Sequence, residues 1–240
     1  MVPLIVCHRF PERNKAPDFT TFSSLLRITS KYELPTVRSQ LLEFVREAYP
    51  ETFEGLSPSR LLGESVFSGP TPHPNEVLNL FVQQNLTSAL PVAYYMAARR
   101  GIDSLMDGSL PPSATLPSGV LQSTMKGLMA LRELELGETH RLIFEPETPP
   151  LCSTSKCPSR TRTGPVALDA YRKVFDHVVG SSQFGTKVLQ VPEFYEDCEG
   201  ELQCIGSNIC HNCVEGWEVR HASLRKKVWG KLPEVFGLKG

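Results

Sequence analysis

No apolar run in this sequence approaches the roughly 18 residues that a membrane-spanning helix requires. The opening MVPLIVC meets His8 and Arg9 at once, which is too early for the core of a signal peptide. An excess of one charge is also lacking. With 25 basic residues against 26 acidic ones and a pI near 6.6, nothing marks the uniformly basic face of a general nucleic-acid binder, which leaves room only for a local basic patch. The expected location is therefore intracellular, cytoplasmic or nuclear, with no membrane partner. Seven cysteines cannot all pair within one chain, and an intracellular setting keeps them reduced.

Signatures of catalysis are scarce. No P-loop, dinucleotide-binding glycine pattern or HExxH helix is present. The stretch GESVF, from Gly63 to Phe67, begins like a GxSxG nucleophile elbow, but Phe67 stands where the second glycine belongs and no strand precedes it. Acidic pairs such as Glu133 and Glu135 fit the solvated face of a helix. The chain is expected not to be an enzyme.

What the chain does contain is amphipathic helices separated by proline-rich joints. In DFTTFSSLLRITSKYEL, Asp18 is placed to cap a helix, and Phe22, Leu25, Leu26, Thr29 and Tyr32 recur at helical spacing. Pro35 suits the first turn of a second helix, with Val37, Leu41, Phe44, Val45 and Ala48 as its stripe. The joint between them is short enough to predict a helical hairpin. After a loop around SGPTPHP, Pro74 opens a third helix carrying Val77, Leu80 and Phe81. Pro91 opens a fourth in LPVAYYMAARRG, and Gly101 is placed to end it. A fifth runs from about Val120 to Phe144, with Leu121, Met125, Leu128, Leu131 and Leu142 on one side. The sequon at Asn85 falls at a helix end and reads as a chance match.

Composition changes at EPETPPLCSTSKCPSRTRTGP, an irregular proline-rich connection. Beyond it, Leu168, Tyr171, Val174, Phe175 and Val178 make one more helical face. In the last long segment Val214, Trp217, His221, Leu224 and Val228 are spaced by three and four. His221 reads there as a core histidine. The expected fold is all-α: an irregular multi-helix array with a proline-rich connection and a small zinc-stabilised C-terminal part.

The order of these segments resembles the fungal BTB/POZ domain-containing proteins. DFTTFSSLLRITSKYELPTVRSQLLEFVREAYP is similar to the last two helices of a BTB/POZ domain. LPVAYYMAAR, MKGLMALRELE, a cysteine pair and a closing CxxC helix ending in KLPEVFG follow as later landmarks. On this likeness residues 17–50 are terminal BTB helices, 51–145 a helical BTB-associated region and 146–240 a cysteine-containing helical region, with 1–16 unassigned. The resemblance implies a protein-interaction module that recruits substrates to a cullin-type ubiquitin ligase or regulates transcription. The strand-and-helix framework that begins a complete BTB domain has no counterpart here. The chain accordingly reads as a fragment, a shortened product or a truncated gene model, and the likeness by itself does not secure homodimerisation or cullin docking for it.

The cysteines carry the strongest chemical signal. CHNC sets Cys210 and Cys213 at a helix start, where both sulfurs can reach one ion and the helix dipole favours thiolates. Cys152 and Cys157 would complete a tetrahedral site, with Cys198 and Cys204 as the substitute pair. Structural zinc ranks first, reduced packing cysteines second and thiol redox last. Redox ranks last because EGELQCIGSNI supplies no βαβ setting for a thioredoxin-like pair. Two function classes follow: a non-catalytic interaction module with a protein partner, and a zinc-dependent nucleic-acid-binding regulator using RHASLRKK and SRTRT. The first is preferred, since lysines and arginines at helical spacing usually form a solvated face.

Overall fold

A computed structural model of the chain describes residues 16–55, 66–144 and 211–238, without the side chains of 135–136, 138–144, 211–218 and 220–221. Among the described residues the regular secondary structure is helical, and the only strand-like feature is an isolated parallel bridge between Asp18 and Ser68. These residues fall into two compact units. The first comprises 16–55, 66–127 and 232–238, and the second 128–144 and 211–231.

In the first unit, α1 (Phe19–Lys31) begins as its sequence dictates. The Asp18 carboxylate accepts from the Thr21 N–H at 2.9 Å, satisfying a backbone donor that the first turn leaves orphaned. Phe22, Ser23, Leu26 and Thr29 are buried. Tyr32, expected on this stripe, is instead 62% exposed, because it is the C-cap and the chain leaves the helix axis there. Glu33 follows at φ 51°, and the Leu34 N–H donates to the Thr29 carbonyl at 3.0 Å. This closure reverses the chain into α2 (Pro35–Ala48), which buries Leu41, Val45 and Ala48. The two helices pack on each other as the expected hairpin.

Of the GESVF stretch, Gly63, Glu64 and Ser65 lie outside the described residues, and Phe67 is a core residue. It is buried among Phe19, Phe22 and Phe44, with ring centroids 5.1, 5.4 and 5.6 Å away. Such pairs are each worth about 0.5–1.5 kcal/mol beyond their buried area. The Ser68 N–H donates to the Pro17 carbonyl at 3.0 Å and fixes this loop to the entry of α1.

After a 3-10 turn at Phe53–Gly55, α3 (Pro74–Gln83) buries Val77, Leu78, Leu80 and Phe81. Asn85, at φ 55°, closes it: the Leu86 N–H returns to Phe81 and the Asn85 N–H to Val82. The sequon asparagine is thus the residue that follows the C-cap Gln84 and turns the chain out of the helix. Asn is one of the few residues besides Gly that adopts this conformation readily. Tyr49 meets Phe81 edge-on at 4.8 Å. Packed on α3 is α4 (Leu90–Ala98), which is apolar nearly all round and accordingly buried on most of its surface.

Gly101, at φ 80°, does stop α4, but it also opens a short helix that the sequence reading did not contain, α5 (Gly101–Leu105). Two long helices follow, α6 (Ser118–Phe144) and α7 (His211–Val235). Leu128, Leu131, Leu224 and Val228 are buried in the second unit. The C-terminal turn belongs to the first unit, where Leu232 and Phe236 are buried and Phe236 stacks on Tyr94 at 5.2 Å. Gly237, at φ 67°, ends the chain's last turn, with the Leu238 N–H on the Pro233 carbonyl at 2.8 Å.

Candidate functional site

The proposed zinc ligands Cys152, Cys157 and Cys210, with the substitutes Cys198 and Cys204, lie outside the described residues. Cys213 lies in α7, whose described part begins at His211, and its side chain is not among those described. Among the described residues no three His, Cys, Asp or Glu side chains gather as a metal-binding group. His221 likewise has no described side chain.

Two features of the first unit do stand out, a polar cluster and an exposed apolar tip. The cluster is built on the N-terminus of α3. Pro74 has no N–H and fixes φ for the first helical position, so the preceding His73 becomes the N-cap. Its imidazole Nδ1 accepts the Asn75 N–H at 3.2 Å, while Glu76 Oε2 accepts the His73 N–H at 3.0 Å. This reciprocal arrangement is a capping box with histidine in the usual place of serine or threonine. Because Nδ1 accepts, the neutral ring carries its proton on Nε2, which lies 3.5 Å from Ser104 Oγ. Glu76 Oε1 also accepts from the Ser113 hydroxyl.

Activation of Ser104 by His73 requires the opposite tautomer, with Nε2 free to accept and Nδ1–H held by a carboxylate. Here Nδ1 is occupied by a backbone N–H, so the pair cannot act as nucleophile and base in this arrangement. Burial, reinforced by the charge on Arg100, lowers the His73 pKa below 6.5, and Glu76 and Asp107 oppose that shift. A lowered pKa keeps the ring neutral, which is the form the cap needs.

One turn further along α3, Asn79 Nδ2 donates to the carbonyls of Ser113 and Thr115, both at 2.9 Å. It thereby holds the loop before α6. Asn75 is also buried, but its amide atoms have no hydrogen-bond partner among the described residues, and neither does Asn79 Oδ1.

The second feature is the tip of the α1–α2 hairpin, where Ile28, Tyr32 and Leu34 are 44%, 62% and 43% exposed. Ile28 and Tyr32 are one helical turn apart, and the Lys31 ammonium sits 5.3 Å from the Tyr32 ring centroid. Arg38, behind the tip, donates to Ser30 and to the Gln84 carbonyl, which joins α2 to the end of α3.

Sequence reasoning missed both features. The histidine cap was signalled by His73, Pro74 and Glu76 in the order N-cap, N1 and N3. The apolar tip was not separable from the buried stripe by spacing alone. Comparison with protein-family models, with curated proteins and with solved structures gives no match.

Proposed function

We propose that the chain is a non-catalytic protein-protein interaction module of the BTB/POZ type. Its partner is a protein, and recruitment to a cullin-type ubiquitin ligase or transcriptional control is the process in which it acts. The observation that carries this reading is the group of exposed apolar side chains at the α1–α2 tip. Single exposed apolar residues are ordinary, whereas three within seven positions of one turn favour a contact surface. The one histidine whose side chain is described serves as a helix cap, which adds nothing in favour of catalysis.

The competing class, a zinc-dependent nucleic-acid-binding regulator, rests on the basic stretches RHASLRKK and SRTRT; Lys226 and Lys227 of the first are exposed on α7, and the second lies outside the described residues. Binding through these lysines would weaken steeply with added salt, whereas a contact at the apolar tip would not.

A photoreactive side chain placed at Tyr32 in the full chain tests the reading, with the same group at the exposed Glu133 as control. A discrete protein cross-linked from position 32 and not from 133 is expected. Cross-linking to nucleic acid, or equal labelling from both positions, would overturn it.

A further inference from the structure

We propose that His73 is a proton-sensitive latch that fastens the 101–115 segment to the N-terminal turn of α3. Three side chains of α3 and its cap reach the segment: His73 toward Ser104, Glu76 to Ser113, and Asn79, one turn further on, to the Ser113 and Thr115 carbonyls. Only the first of these depends on a group that changes charge near neutral pH. Protonation puts a hydrogen on Nδ1, the atom that accepts from the Asn75 N–H, and so turns an acceptor into a donor facing a donor. The cap then fails, and the ring must turn away from the helix end.

The charged groups around the ring set the balance. Arg100, just before α5, disfavours the imidazolium, while Glu76 on α3 and Asp107 after α5 favour it. Glu76 is already engaged by the His73 N–H and Ser113, and Asp107 accepts from the Ser109 N–H and hydroxyl. Neither carboxylate is free to follow the ring as it turns. A positive charge at this end also opposes the α3 dipole. Because the folded ring holds its proton less tightly than the reference histidine, the open state protonates first. The latch is therefore closed above pH 6.5 and loosens as pH falls below it. The segment released carries two exposed apolar side chains, Ile102 and Met106. Its presentation to a partner would change with pH.

Amide hydrogen exchange on the full chain, corrected for intrinsic rates, tests this between about pH 7.5 and about pH 5.5. Protection of the 101–106 amides is expected to fall roughly fivefold to tenfold, as loss of an N-cap implies, while Leu80 and Phe81 keep theirs. His73→Asn retains a capping oxygen but has neither a titrating ring nor an Nε2 to meet Ser104, so its 101–106 amides are expected to show the same, lowered protection at both pH values. His73→Ala is expected to be exposed at both. Unchanged wild-type protection, or the same pH response in His73→Asn, would overturn the latch. Should His73→Ala not fold, the contrast between wild type and His73→Asn decides alone.

Discussion

The ring of Phe236 lies directly on the backbone of Gly127: a Cβ placed on Gly127 would stand 2.1 Å from the ring's Cδ1 and Cε1. Glycine is what allows the C-terminal turn to seat against α6. A glycine inside a helix costs about 1 kcal/mol relative to alanine, and here that cost is offset by a buried aromatic ring stacked on Tyr94. Gly127→Ala should gain the helical preference and lose the seat, with a net destabilisation of about 2 kcal/mol from overpacking. Phe236→Ala should cost about 3–5 kcal/mol. The decisive comparison is the double variant, in which Gly127→Ala should become neutral or stabilising. Additive losses in denaturant unfolding would mean that the ring does not occupy the Gly127 surface.

Asn75 and Asn79 stand one turn apart on α3 and should respond in opposite directions. Asn79→Leu removes the donor for two loop carbonyls and should destabilise by about 1–3 kcal/mol. Asn75→Leu replaces a buried amide that has no partner among the described residues and should be neutral or stabilising. A comparable loss for both, measured by urea unfolding, would contradict these assignments.

Acid stability should depend on Asp18. The Thr21 side chain, followed by the Thr21 N–H, holds this carboxyl below the ordinary 3.8. A depressed folded-state pKa contributes stability that is present above 3.8 and lost as pH falls below it. Asp18→Asn keeps a capping oxygen and cannot titrate, so it should flatten the acid limb of α1 unfolding. An acid limb identical to wild type would assign that limb to other groups.

How far the sequence disclosed this depends on the range of the cause. Asp18, Pro35, Pro74 and Pro91 act within one turn of where they stand, and each marks a helix start in the structure. Tyr32 was misplaced because helical spacing does not say where a helix stops, and Glu33 is not a residue that advertises positive φ. The seat of Phe236 on Gly127 joins positions far apart in the chain. Its local trace was a glycine inside the MKGLMALRELE helix, which asks for a packing reason but does not name one. The CHNC stretch is helical from His211 onward, and Cys210 lies outside the described residues. Its ligand role rests on spacing alone.

Structural zinc held by Cys152, Cys157, Cys210 and Cys213 is the proposal for those thiols. Purified protein should then carry about one zinc ion per chain, and chelation should lower the melting temperature, since metal binding is coupled to folding. Cys213→Ser should lose both metal and stability, whereas Cys7→Ser should lose neither. Metal-free protein with unchanged helicity and melting would make them packing or redox cysteines instead.

The interaction-module account is tested most directly by calorimetric titration of the protein cross-linked from position 32 into the full chain and its Tyr32→Asp variant. Because Tyr32 is exposed, the variant should fold and melt like wild type. A charge placed at the centre of a desolvated contact should weaken binding at least about tenfold, on the order of 1.4 kcal/mol. Equal affinity for the two chains would contradict the account.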